Sequence, residues 1–90
     1  HNLELEFRDS FLKDVNHIKE AAVKKKIATV ITEAKSASSL PAIRNVKKME
    51  GSDNYYRVRI GDYRIGVKLQ GKTLIFLRCL HRKDIYRYFP

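Results

Sequence analysis

The chain has one cysteine, Cys79, two prolines, one methionine and no tryptophan in 90 residues. Each scarcity excludes something. A lone thiol forms no internal disulfide, so a disulfide-stapled secreted scaffold is ruled out. Cys79 lies in an apolar run and reads as a small core residue of a protein from a reducing cytoplasm. No apolar run is long enough to span a bilayer and no secretory leader is visible, so neither a membrane role nor export is expected. His17 and His81 stand far apart with no Cys/His spacing around them, so no metal site and no cofactor is expected. There are no internal repeats and no low-complexity tracts. Acid, finally, is scarce where base is dense. Residues 1–53 carry ten Lys/Arg against eight Asp/Glu, a net of +2. Residues 54–90 carry nine against two, a net of +7, and together these make up the overall +9.

What is present is enough for one small domain over residues 1–90. Its hydrophobic content of 43% argues against disorder, and its length allows only a thin core. The most informative stretch runs from Tyr55 to Leu69, alternating polar and apolar residues on both sides of Gly61-Asp62. Side chains switch faces at every strand residue, so this is a β-hairpin with one buried and one wet face. Tyr56, Val58, Ile60, Tyr63, Ile65, Val67 and Leu69 share the first face, and Arg57, Arg59, Arg64 and Lys68 share the second. A two-residue turn sets Arg59 opposite Arg64. Like charges across a strand pair cost up to about 1 kcal/mol, which an anionic ligand such as a phosphate backbone would offset. A basic surface of this kind is the electrostatic footprint of a nucleic-acid binder.

Along the chain, residues 2–8 alternate as a first strand at or near a sheet edge, with Leu3, Leu5 and Phe7 inward. Asp9 or Ser10 can cap a helix carrying Phe11, Leu12, Val15 and Ile18. A second helical stripe, Val23, Ile27, Val30, Ile31 and Ala34, follows a bend near residues 17–20, with Lys24, Lys25 and Lys26 read as a solvated face. The Ser-rich run to Pro41 ends the helices. Residues 42–53 read as a connector anchored by Val46 and Met49, with a loop at Gly51-Ser52-Asp53-Asn54. After the hairpin, Gln70-Gly71-Lys72 turns into Thr73–Leu80, apolar enough for a central strand, and an aromatic tail closes the chain from Ile85 to Pro90. The order β-α-α-β-β-β predicts an α+β fold: two N-terminal helices on one face of a mostly antiparallel four-stranded sheet, with a short C-terminal helical turn or tail. The arginine-bearing face is expected to stay open.

Three blocks, Asn45–Gly51, Tyr56–Ile65 and Leu80–Tyr86, together with this element order, resemble the RelE/ParE superfamily of type II toxin–antitoxin toxins. The resemblance covers nearly the whole chain and favours the RelE branch. It implies a small basic cytoplasmic toxin, held inactive by a cognate antitoxin, that cuts mRNA on the ribosome. By resemblance the catalytic positions are Arg64, His81, Arg82 and Tyr86, and Arg57 and Arg59 hold RNA where the best-known RelE enzyme has lysines. Arginine hardly ever loses its proton, so the base would be His81 or a carboxylate such as Glu50.

Metal-free RNA cleavage needs a deprotonated 2′-OH, a neutralised phosphate and a protonated 5′-oxygen, and yields a 2′,3′-cyclic phosphate. An imidazole with a pKa of about 6.5 suits the proton work, and guanidinium forks suit the phosphate. Tyr86 would stack on a base or position the leaving group. Lys47, Lys48 and Lys68 are expected to help hold the phosphate backbone. Arg78 is assigned to RNA binding on an open geometry: a two-residue turn at 70–72 puts it with Tyr63, a three-residue turn opposite Arg64. The duller readings are surface arginines paired to acids, a half-exposed strand-end His81, and a Tyr86 packed with Tyr88 and Phe89. The competing functions are a ParE-like gyrase poison without nuclease activity and a non-catalytic nucleic-acid-binding module.

Overall fold

The Gly61-Asp62 turn sets the register of the sheet. In the computed structural model, which describes residues 2–51 and 53–89, it joins β3 (Tyr55–Ile60) to β4 (Tyr63–Gln70), with Ile60 opposite Tyr63 and Arg59 opposite Arg64, as the alternation predicts. Gly61 takes a φ of 64°, the left-handed geometry that such a tight turn demands. The loop at 51–54 and the end of the tail reach Ser52 and Pro90, which together with His1 lie outside the described residues.

β5 (Thr73–His81) pairs antiparallel with β4 after a two-residue turn, since Gln70 faces Thr73. β1 (Glu4–Phe7) pairs parallel with the far side of β5, so β5 is the inner strand that its apolar run predicts and β1 is an edge. The sheet has five strands, in the order β1-β5-β4-β3-β2, where the sequence suggests four. The fifth is β2 (Val46–Lys48), inside the expected connector, antiparallel to β3. Three residues are too few to display an alternation, so pairing with β3 rather than local pattern makes this strand.

α1 (Asp9–His17) and α2 (Ala21–Ser36) are separated by Ile18, extended and buried, which is the expected bend. The capping expectation is corrected. The N-cap is Arg8, with no side-chain cap. Asp9 lies in the first turn, and the Ser10 hydroxyl donates to the Leu77 carbonyl instead. The main core lies between helices and sheet, with Phe11, Ile27, Val30, Val58, Ile65, Val67, Leu74 and Phe76 buried. Phe7, Phe11 and Phe76 join β1, α1 and β5 through ring centroids 5.0–5.9 Å apart.

Two features redirect the other face. First, β5 carries a bulge: Gly66 faces Arg78 but Val67 faces Phe76, so Leu77 is the extra residue. Second, the tail forms α3 (Ile85–Tyr88) and covers part of the face expected to be open. There Met49, Ile85 and Phe89 bury one another against Tyr55, Leu77 and Leu80. No helix among the described residues is long and apolar enough to cross a membrane.

Candidate nucleic-acid interface

The site is built where β2, β3 and α3 meet. Lys47 on β2 faces Arg57 on β3 across the ladder. Two like charges at that spacing repel, and among the described residues neither has an acidic partner. α3 brings Tyr86, 59% exposed, to the same place. Together with Lys48, Met49 and Glu50 these residues line a concavity of about 250 Å³. It offers a fixed guanidinium, two ammonium groups, one carboxylate and an exposed phenol ring.

Gly66 is the seat that holds Tyr86 there. A Cβ on Gly66 would lie 2.7 Å from the Phe89 ring, so only glycine lets that ring rest on the strand. Phe89 also meets Tyr55 edge-on at 5.5 Å. Gly66→Ala should therefore unseat α3 while sparing the sheet. Overpacking of this kind costs about 1–3 kcal/mol. The amide of Phe89, which donates to Ile85, should then exchange at nearly the free rate while those of β4 and β5 stay protected. Unchanged protection at Phe89 would show that the tail does not depend on this contact.

The second half of the predicted set gathers at the hairpin turn. Arg64 shares its face with Arg57 and Arg59 and folds back over the turn. Its Nη1 donates to the carbonyls of Gly61 at 2.8 Å and Tyr63 at 2.9 Å. The fold thus has its own use for the guanidinium besides the anionic ligand expected from the sequence: it ties the turn, and the carbonyls relieve its repulsion with Arg59. Arg64 Nε is buried without an acceptor. Arg82 follows β5. Its backbone N–H donates to the Asp62 carbonyl at 2.7 Å, and its side chain approaches the Asp62 carboxylate at 3.9 Å. Asp62 thus anchors the one arginine on the turn that carries the other. With both partners well exposed, the ion pair itself contributes little and leaves Arg82 available to an anion.

Three expected members stand apart. His81 faces Tyr63 across the ladder, their rings edge-on at 5.6 Å, and alternation sends it to the helix side, away from Arg64, whose partner is Leu80. Its Nδ1 accepts from the Lys83 backbone N–H. Burial first, then the carboxylate of Glu20, push the Tyr63 phenol up. Arg78 fits neither geometry foreseen for it. The turn has two residues, but the Leu77 bulge shifts Arg78 opposite Gly66, onto the face of Arg64. From there it bends round the edge of β5 to α1, where Asp14 accepts from Nε at 2.7 Å and from Nη2 at 3.1 Å. Asp14 foremost raises the Arg78 pKa, and the guanidinium also lies 5.7 Å from the Tyr88 ring centroid. Lys68 lies 5.5 Å from the Tyr55 ring centroid, and Lys48 reaches Asp53 at 3.8 Å while lining the concavity.

Asp14 is the residue that sequence reasoning missed. Besides Arg78 it accepts from the Cys79 backbone N–H at 2.9 Å, closing the stretch of β5 that β1 is too short to cover. Burial, and secondarily Asp14, push the Cys79 thiol up to about 12, which leaves it protonated and unreactive at neutral pH.

Comparison with known proteins agrees with this architecture. Residues 5–86 match the family described as the ParE toxin of type II toxin–antitoxin systems. Over 85 residues the chain is 45% identical to Toxin RelE3 of Methanocaldococcus jannaschii, covering 93% of this chain and 96% of that protein. A RelB–RelE antitoxin–toxin complex from Methanococcus jannaschii contains a chain that is 44% identical, with a TM-score of 0.82 over 94% of this chain and 99% of that one. The YoeB dimer of Staphylococcus aureus, at 16% identity and a TM-score of 0.71 over 90% of this chain and 98% of its own, shares the fold. A basic α+β domain with this sheet and these relatives belongs to the RelE/ParE superfamily of type II toxin–antitoxin toxins.

Proposed function

We propose that this toxin acts as a ribosome-dependent endoribonuclease: it inhibits translation by cutting mRNA and is silenced by a cognate antitoxin. One observation carries the reading. The tail delivers Tyr86 to a concavity already holding Arg57, Lys47 and Glu50. Arg57, Lys47 and the Nη2 of Arg64 neutralise the scissile phosphate, Arg82 at the turn takes the flanking charge, and Tyr86 stacks on a base or positions the leaving oxygen. Glu50 is the carboxylate in the concavity and takes the 2′-OH proton. His81, turned toward Tyr63, does not line that space. The 2′-oxygen attacks phosphorus as the bond from phosphorus to the 5′-oxygen breaks, and the 5′-oxygen takes a proton from solvent water, leaving a 2′,3′-cyclic phosphate and a 5′-OH.

The experiment is cleavage of a translated mRNA by purified toxin, with 5′ ends mapped. Cuts bearing 5′-OH ends are expected, and Glu50→Gln should slow them about 10²-fold or more. Intact mRNA at concentrations that stop translation would remove the nuclease reading. An undiminished rate in Glu50→Gln would remove Glu50 as the base.

The match to the ParE family description favours one second reading, a gyrase poison without nuclease activity. Inhibited supercoiling with untouched mRNA would select it.

A further inference from the structure

Away from that concavity, α2 and the hairpin tip enclose a second cleft of about 390 Å³, lined by Lys26, Thr29, Arg44, Asn45, Arg59 and Gly61 among others. Its charge is unbalanced. Glu33, also in the lining, is engaged by Arg44 at 3.2 Å. Lys26 on α2 and Arg59 on β3 both line the cleft, and neither has an acidic partner among the described residues. Lys26 reaches across from the helix. Its ammonium lies 3.7 Å from where a Cβ on Gly61 would stand. Lys24 and Lys25 form the solvated face expected of the triple lysine, both exposed and neither lining the cleft. The floor is apolar, from the buried side chains of Val30 and Ile60.

Arg59 joins this cleft to the first site. The β2 ladder ends at Val58, and the Arg59 backbone N–H donates to the Asn45 carbonyl at 3.2 Å, so Arg59 stands just past the end of β2, two residues from Arg57 along the strand. The separation along the strand is about 6.6 Å, close to the step between successive phosphates of an extended single strand. We infer that the cleft of Lys26 and Arg59 is a second phosphate-binding subsite. It would take the backbone of the same RNA strand whose scissile phosphate lies at Arg57 and Lys47, with a ribose resting on Val30 and Ile60. The inference rests on the RNA-cleaving reading above. An acidic peptide is less suited to the cleft, because its carboxylates have no fixed repeat to match the Arg57–Arg59 spacing.

The test is binding of a fluorescent, uncleavable 2′-O-methyl 10-mer to the intact toxin by anisotropy across a salt series. Each phosphate contact on a single strand adds about 0.7 to the slope of log K against log salt. Lys26→Ala should lower that slope by about 0.7 and weaken binding severalfold at low salt. Lys24→Ala, an equal loss of charge outside the cleft, should leave the slope in place. Equal losses in Lys24→Ala and Lys26→Ala would reduce the effect to net charge and overturn the subsite. An unchanged RNA slope in Lys26→Ala, alongside weaker capture of the antitoxin, would overturn it in favour of an acidic peptide. If the wild type binds no RNA at all, the nuclease reading falls and takes the subsite with it.

Discussion

Arg64→Ala should reduce translation-coupled mRNA cleavage by about 10²–10³-fold, the usual loss when one preorganised donor to a developing charge is removed. The geometry explains why so much rests on this side chain. Nη1 spends both its protons on the carbonyls of Gly61 and Tyr63, which fixes the guanidinium plane before any ligand arrives. Nη2 remains for a phosphoryl oxygen. The buried Nε–H has no acceptor, a cost of about 1–3 kcal/mol that a purely structural staple has no reason to carry. Loss of the turn contacts alone should cost about 1 kcal/mol, or a fall in Tm of about 4–8 °C for a domain of this size. The two effects separate by measuring the cleavage rate well below Tm. Arg64→Lys makes the distinction sharper: it keeps the charge but cannot hold two carbonyls and still present a fork, so it should recover only part of the rate. Full activity in Arg64→Ala would reduce this residue to a turn clasp.

How much of this was legible depends on where the sequence carries a period. The hairpin register, the edge position of β1, the inner position of β5 and the helix bend were all readable, because alternation or a helical stripe marks each of them. The bulge at Leu77 was not. In a run of apolar residues an extra one leaves no break in pattern, yet it moves Arg78 to the other face. β2 was hidden by its length. The covering of the open face by α3 left one signal, a glycine inside a strand at Gly66, which marks a place where another group comes close. His81 was grouped with Arg82 through resemblance. Following the alternation outward from Tyr63 would have placed it on the helix side. Among the site residues, Arg57, Lys47 and Tyr86 were readable as types, but only β2 and α3 bring them together as a group.

Asp14→Ala should produce the largest loss of stability, about 2–3 kcal/mol and a fall in Tm of roughly 10–20 °C. One substitution removes three hydrogen bonds, two to Arg78 and one to the Cys79 backbone N–H. The pair is largely shielded, with 12% of the Asp14 side chain and 29% of the Arg78 side chain exposed. Breaking a fully buried pair costs about 3–5 kcal/mol, and the estimate is lower here because Arg78 can turn partly into water. Asp14→Asn keeps an acceptor for Cys79 and should lose about half as much. Replacing both partners, Asp14→Leu with Arg78→Met, should regain part of the loss, because no charge is then left stranded. A shift of under 2 °C in Asp14→Ala would mean that the pair is solvated and the edge of β5 needs no cover. The same variant also decides what Arg78 is for. As a strut between α1 and the tail, Arg78 freed from Asp14 should leave the RNA salt slope unchanged below the melting range. If Arg78 is instead an RNA contact held in reserve, releasing it should steepen the slope by about 0.7, and the assignment of Arg78 to structure would be wrong.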